Sequence, residues 1–351
     1  MAHLQAEQLL DLLAATDEHQ MRFKFSEIAV PLQKYIAVSK LIRKGRVDFQ
    51  GGDTVKWTVM VSTSGRAKNT GLFGVDDVNV GDTLQQCSIG WKHSTVNWAI
   101  ERREMSMNTG SKQIIDLKEA RRQEAMIDWA KLEEDNYWAD LTATGTDVLR
   151  PYGIDYWFTR SDTEGFEGGN HSSFSGGPGG LSCSTYPNWK LYNAKYTAVT
   201  KTDFVRKLRK AAELTRFTSP APNVRELTTG DDLSLYTTYD TISLLEEVAE
   251  AQNDRLGNDI ASMDGQVMFR RRPIEWVPWL QTNDSAAAPF YGINWGTFKC
   301  AFLVNEYMVE SPWRIRDSQH TVFAKFMDCT RNWYMVNRRD GNFILHKGAS
   351  L

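Results

Sequence analysis

KQIIDLKEARRQEAMIDWAKLEEDNYWADL, residues 112–141, runs for thirty residues without a glycine or a proline. Ser111 stands before it as a cap, and Gly145 follows it as a stop. On a 3.6-residue period Met126, Trp129, Ala130 and Tyr137 fall on one stripe, and Ala125, Leu132 and Ala139 on another. Charged residues fill the rest. At 1.5 Å per residue such a helix is about 45 Å long. Its length and two narrow apolar stripes suit a spine on which other layers lie.

Upstream of this helix the period changes from 3.6 to 2. In residues 47–62 Val55, Trp57, Val59 and Val61 alternate with Lys56, Thr58 and Met60, which predicts a half-buried strand after the interruption at Gly51 and Gly52. A second extended run covers about 83–104, with Ile89 and Trp91 and then Val96, Trp98 and Ile100 as its apolar positions. The parity flips between the two groups, so a bulge is expected near His93–Thr95. The polar, glycine-containing stretch between the runs is about 20 residues long, well beyond an ordinary hairpin loop. The expectation is a projecting β-arm. Ahead of it, residues 4–15 read as a leucine-rich helix, and the mixed segment up to Pro31 reads as an arm.

Downstream, residues 161–185 are rich in Gly and Ser and poor in large aliphatics, which predicts a long exposed loop dispensable for the fold. An amphipathic helix starts at Thr202, with Phe204, Val205, Leu208, Ala211 and Ala212 inward and Arg206, Lys207, Arg209 and Lys210 outward. A third helix is expected from Asp240, as N-cap, to about Leu256, with Gly257 as its C-cap. The C-terminal third is mostly strand-like, and Asp340-Gly341 between its last two runs predicts a two-residue hairpin. There is no internal repeat, and helices and strands segregate without βαβ regularity. The fold class is α+β.

Composition narrows function mainly by exclusion. The 351 residues are 41% apolar and 24% charged, as in a globular protein with a full core. A net charge of −3 argues against a dedicated nucleic-acid binder. No run is apolar for long enough to span a bilayer, so no membrane partner is expected. The N-terminus lacks a basic region and does not read as a secretory signal, which implies a cytosolic chain. Cys87, Cys183, Cys300 and Cys329 form no CxxC pair and read as buried free thiols. Twelve Trp, twelve Tyr and sixteen Phe are a surplus that belongs to cores, sugar sites or extensive interfaces.

No catalytic constellation is legible. The six histidines show no ligand spacing, so no metal site is expected, nor any cofactor. The cluster Gly176, Gly177, Pro178, Gly179, Gly180 lacks the Lys-Ser/Thr of a phosphate loop. His171-Ser172 lacks a nucleophile elbow. Two enzyme-like ideas remain. One is a Trp-rich glycan-active enzyme using Asp155 with Glu164 or Glu167. The other is nucleic-acid processing through Arg270, Arg271 and Arg272, a run that more ordinarily marks a solvated face or a contact with an acidic neighbour.

From about Leu41 onward the chain resembles major capsid proteins of tailed bacteriophages, the Hong Kong ninety-seven type fold. VDFQGGDTVKWTVMV is similar to the outgoing strand of that family's extended loop (E-loop), and WKHSTVNWAIERREMSMN to its return. Residues 112–141 occupy the place of the spine helix. YPNWKLYNAKYTAVTKTDFVRKLRKAAELTRFTSP, NDRLGNDIASMDGQVMFRRRPIEWVPWL and PFYGINWGTF resemble parts of the axial domain, and HTVFAKFMDCTRNWYMVNRR the strands returning to the peripheral domain. The order of parts agrees with the residue-level reading, and that agreement carries the resemblance.

The resemblance implies an N-terminal arm at 1–46, an E-loop at 47–104, a peripheral domain with the spine helix at 105–145 and 300–351, and an axial domain at 146–299. It implies a non-enzymatic virion subunit, assembled in the host cytoplasm, that forms hexamers and pentamers of an icosahedral head around double-stranded DNA held by non-specific contact. Its partners would be itself, a portal protein, a scaffolding protein and a decoration or cement protein. No large fused scaffold segment is legible at the N-terminus, so scaffolding is expected from a separate protein or none. An encapsulin nanocompartment on the same fold is the nearest alternative. The subunit interface is expected at Val55, Trp57, Val59, Val61, Trp91, Trp98, Trp129 and Tyr137. Some relatives join an E-loop lysine to a neighbour's asparagine. Lys56, Lys68, Asn332, Asn337 and Asn342 show no local motif for it, and no cross-link is expected.

Overall fold

The computed structural model describes residues 35–41, 47–63, 65, 67–72, 83–107, 117–216, 232–250, 267–316 and 319–348. The expected helix at 4–15, the first turn of the spine, most of the tip and the Gly257 cap lie outside the described residues. Helix α1 (Ile36–Leu41) leads into β1 (Val47–Gln50). Strands β2 (Thr54–Met60) and β3 (Leu84–Gly90) pair antiparallel as a two-stranded hairpin. β4 (Lys92–Glu101), α2 (Arg102–Met107) and the spine α3 (Leu117–Trp138) follow. α3 is 22 residues, about 33 Å.

The parity flip has a different cause from the one expected. There is no bulge at His93–Thr95. β3 ends at Gly90, β4 begins at Lys92, and at Trp91 the chain passes from the hairpin into another sheet. That sheet has six strands, two of them the short β12 (Val309–Glu310) and β13 (Arg314–Arg316). β4 pairs with the 17-residue β14 (Gln319–Met335), in register from Val322↔Glu101 to Arg331↔Lys92. β11 (Phe298–Leu303) pairs with the distal part of β14 and, in parallel, with β1. The projecting hairpin proper is therefore 54–90, and its flanks at 47–50 and 92–101 belong to the six-stranded sheet.

The second sheet has seven strands in the order β5-β6-β15-β10-β7-β9-β8. It comprises β5 (Gly165–Gly168), β6 (Leu191–Lys195), β7 (Leu233–Thr237), β8 (Met268–Phe269), β9 (Arg272–Trp276), β10 (Phe290–Asn294) and β15 (Phe343–His346). The short helix α4 (Ile154–Trp157) precedes β5, and α5 (Arg206–Leu214) follows β6. α6 (Tyr239–Glu250) follows β7, and α7 (Pro278–Asn283) follows β9. Thr200 caps the turn before α5 by accepting from the Asp203 N–H at 3.2 Å. α6 starts one residue before the expected cap. Thr238 holds that position instead, with its hydroxyl 2.9 Å from that of Thr241.

Asp340-Gly341 does form a turn, with Gly341 at φ +69°, but not a hairpin. β14 belongs to the six-stranded sheet, while β15 crosses to the seven-stranded one and lies between β6 and β10. Asn342 accounts for the switch. It is fully buried; its Oδ1 accepts from the Asn294 N–H (2.9 Å) and its Nδ2 donates to Thr297 Oγ1 (2.9 Å), which ties the turn to the β10–β11 corner.

Both stripes expected on α3 reach the core, the second only at its start, where Ala125 is buried. Trp129 and Tyr137 are buried, whereas Leu132 is exposed. Glu133 and Glu134 are buried instead. Glu133 takes a bidentate ion pair from Arg331 of β14, and Glu134 accepts from Trp138 Nε1 at 2.7 Å. Burying a charge is tolerable where a partner and further hydrogen bonds meet it, and Arg331 also donates to Ser94 Oγ at 2.7 Å. Tyr137 sits among Trp138, Trp295, Phe298 and Trp333, four ring contacts with centroids 4.9–6.1 Å away. The aromatic surplus is thus spent largely on the core where spine and sheets meet. A second core, from Phe204, Leu208, Ala211, Leu235, Leu245, Phe290 and Leu345, lies between the seven-stranded sheet and helices α5 and α6.

Candidate assembly surface

The hairpin β2–β3 has two unlike faces. Val55, Trp57 and Val59 of β2 and Cys87 and Ile89 of β3 turn toward the body, because alternate residues share a face. Lys56, Thr58 and Met60 turn away, with Leu84, Gln86 and Ser88 opposite them. On the inner face Val55 and Cys87 are fully buried, and burial pushes the Cys87 thiol up to about 12. Trp57 lies 5.0 Å from the Tyr334 ring and 6.1 Å from the Trp157 ring.

The loop 161–185 completes this cradle, contrary to the exposed, dispensable loop expected. Pro178, Gly179, Leu181 and Cys183 are buried. Gly179, at φ +70°, lies so close that a Cβ there would stand 3.1 Å from the Trp57 ring. Tyr156 Oη accepts from the Gly179 N–H (3.0 Å) and donates to Gly177 O (3.2 Å), which fixes the glycine turn. Beneath it Arg338 is fully buried with no carboxylate partner among the described residues. Its guanidinium donates to Trp157 O (2.7 Å), Trp189 O (3.0 Å) and Cys183 Sγ (3.2 Å). Burial lowers its proton affinity, and the Cys183 contact opposes that. The glycines are there for close approach, and the apolar mass comes from Trp57, Trp157 and Trp189 elsewhere in the chain.

Polar side chains fasten the hairpin's base. Asn332 Nδ2 donates to Gly90 O at 2.7 Å, while its Oδ1 accepts from the Tyr152 N–H at 2.9 Å. Trp91 Nε1 donates to Gly52 O at 2.9 Å, and Asn188 Nδ2 to Val61 O at 3.1 Å.

Of the eight residues singled out in the sequence, Val55, Val61, Trp98, Trp129 and Tyr137 are buried within the single chain. Trp57, Val59 and Trp91 are partly buried against the same core. The covering surface expected from a neighbour is supplied by the chain itself. What it leaves open are residues that periodicity did not single out. Met60 (60% exposed) and Leu84 (59%) face each other across the hairpin's distal end, and Leu72 (95%) lies beyond them. On β1, Phe49 is 58% exposed, with the Tyr307 ring 5.8 Å away. Phe49 was legible only as the odd member of VDFQ, since its partner Tyr307 lies far along the chain.

The enzyme-like pairings do not form. Asp155 accepts from Leu141 N–H (3.0 Å) and lies 2.8 Å from His171 Nε2; Glu164 pairs with Lys210 and Glu167 with Lys190. His171 Nδ1 accepts from the Ser173 N–H (3.1 Å), so both ring nitrogens are engaged. Arg270 and Arg271, both at positive φ, form the turn between β8 and β9. Arg270 pairs with Glu213, and Arg272 donates to Leu233 O. All four cysteines are free and buried. No helix among the described residues is long and apolar enough to cross a membrane.

This architecture, with a moored hairpin, a long helix and two sheets, is a fold shared with solved phage capsid subunits. A cyanophage A-1(L) capsid asymmetric unit matches 95% of this chain and 99% of its own at a TM-score of 0.64 and 13% identity. The capsid of a native GTA particle matches 96% and 98%, at 0.60 and 10%. The mature capsid of bacteriophage PhiM1 matches 93% and 90%, at 0.53 and 10%. No protein-family model and no curated protein matches the sequence.

Proposed function

We propose that the chain is the major capsid protein of a tailed-phage head, a structural subunit with no catalytic role. In this reading it self-assembles into hexamers and pentamers around double-stranded DNA held by non-specific contact. The observation that carries the reading is the end-to-end likeness to phage capsid subunits, which spans 95% of this chain and 99% of the solved one. The moored hairpin supports it. A two-stranded ribbon is marginal in water, so its inner face is spent on the body and its outer face, with Met60 and Leu84, is left for a neighbouring subunit, as is the exposed Leu72 of the tip. The inner row at Val55, Trp57, Val59 and Val61, with Trp91, Trp98, Trp129 and Tyr137, then sets the angle at which the hairpin is presented. A portal protein, a scaffolding protein and a decoration protein complete the expected set of partners, with assembly in the host cytoplasm and the virion as destination.

The test is to express the chain alone and with a scaffolding protein, and to examine it by sedimentation and negative-stain electron microscopy. Closed shells of uniform diameter are expected. A protein that stays monomeric under both conditions overturns the reading.

A further inference from the structure

His171 is buried in the glycine-rich loop, with a contact on each ring nitrogen. A backbone N–H only donates, so the Ser173 N–H at 3.1 Å requires a bare lone pair on Nδ1. The network therefore assigns the single proton of the neutral ring to Nε2, where it meets Asp155 Oδ2 at 2.8 Å. Charged groups reach this ring from two elements, Asp155 on α4 and Asp140 just beyond the end of α3. Behind them Arg160 and Asp284 pair with each other. The loop's own acids are turned elsewhere, Asp162 to Lys195, Glu164 to Lys210 and Glu167 to Lys190, and Cys183 lies against Arg338.

Three consecutive turns run from this ring to the hairpin. The Phe174 N–H donates to His171 O (3.0 Å), the Gly177 N–H to Phe174 O (3.0 Å) and the Gly180 N–H to Gly177 O (3.1 Å). The Phe174 ring packs edge-on against Tyr156, with centroids 5.0 Å apart. Tyr156 Oη is the group that clamps Gly177 and Gly179 beside Trp57. Asn170 ties the base of the loop separately, to Ser182 Oγ (3.1 Å) and the Cys183 N–H (2.8 Å), so the turns can shift while the loop stays attached.

We propose that His171 is a proton-operated latch on the hairpin: a second proton, taken at Nδ1, turns the Ser173 N–H away and slackens the turns that cradle Trp57. Two N–H groups facing each other at this distance repel, and each is left without an acceptor. Asp155 is also held by the Leu141 N–H, so it stays with His171 whether the turns are tight or slack. The Ser173 N–H is what differs between the two states. The tight cradle favours the neutral ring and the slack one the imidazolium, so the hairpin loosens as pH falls. The latch is a property of the fold and holds whether or not the chain forms shells.

Hydrogen exchange of the intact chain tests this, measured from about pH 8 to about pH 5, the range over which histidine changes charge. Each amide is expressed relative to the unstructured rate at the same pH. Protection of Thr54–Met60 and Leu84–Gly90 should fall about tenfold toward the acid end, the scale set by one buried donor left unmet, while β14 keeps its protection. His171→Asn offers Oδ1 to the Ser173 N–H in place of Nδ1 but takes up no proton, and should flatten the profile. Asp155→Asn removes the charge that favours the imidazolium and should move the midpoint to lower pH. Asp140→Asn should leave the step in place, and circular dichroism checks that each variant is folded. A flat wild-type profile overturns the latch. So does a step that survives in His171→Asn or disappears in Asp140→Asn.

Discussion

Replacing Trp57 by alanine removes the side chain that joins the hairpin to the body. Its ring meets Tyr334 of β14, Trp157 of α4 and the glycine turn at Gly179, three segments far apart in the chain. A fully buried large aromatic truncated to alanine costs about 3–5 kcal/mol. Trp57 is only partly buried, so about 2–3 kcal/mol is expected, scaled by the apolar area it removes from water. That raises the open population of the hairpin on the order of 30- to 150-fold, at 1.4 kcal/mol per factor of ten. Hydrogen exchange should then show the amides of Thr54–Met60 and Leu84–Gly90 losing protection by that factor, while those of β14 keep theirs, because local opening need not unfold the core. Electron microscopy should show few closed shells. Trp57→Phe keeps most of the packing and should assemble. Unchanged hairpin protection together with normal shells from Trp57→Ala would refute the mooring argument.

Glu133→Ala leaves the Arg331 guanidinium buried without its carboxylate and should cost about 3–5 kcal/mol in denaturant unfolding; Glu133→Leu with Arg331→Met should recover most of it, and equal loss in both variants would contradict the account. Asp140 is raised to about 6, first by burial and then by the charges of Asp155 and Asp284. A carboxyl raised in the folded state contributes stability below its ordinary value of 3.8 that is lost as pH rises through about 6. Asp140→Asn should therefore raise the thermal midpoint at pH 8 and leave it nearly unchanged at pH 3, and the reverse order would sink the assignment. Shells boiled in detergent should run as monomers, since Lys56 pairs with Asp53 and the side chains of Asn332 and Asn342 are buried and hydrogen-bonded internally; a ladder of multiples would be the contrary result. Limited proteolysis should spare 165–183, whose buried residues cradle Trp57, and early cleavage there would argue against that packing.

Elements written in neighbouring residues were legible without coordinates. The 3.6 period of α3 and α5, the period of 2 in β2 and the turn at Asp340-Gly341 are properties of residues a few positions apart, and each is where the local pattern puts it. The order of parts, and with it the resemblance to capsid subunits, follows from those local patterns in series. The same logic shows why the interface was harder to read. Val55, Trp57, Val59 and Val61 announce a face that must be covered, and periodicity is silent on whether the same chain or another covers it.

Tertiary structure decided the rest, because it brought together residues that no window contains. Glu133 looked like a solvated acid until Arg331, 198 positions away, met it in the core. The glycine-rich loop looked dispensable until Trp57 and Trp157 filled the space its missing side chains leave open. Asp340-Gly341 specified a reversal, but the hydrogen bonds of Asn342 to Asn294 and Thr297 sent the following strand to the other sheet. Local sequence determines which backbone conformations are cheap, whereas burial, pairing and charge compensation depend on which distant segment arrives opposite.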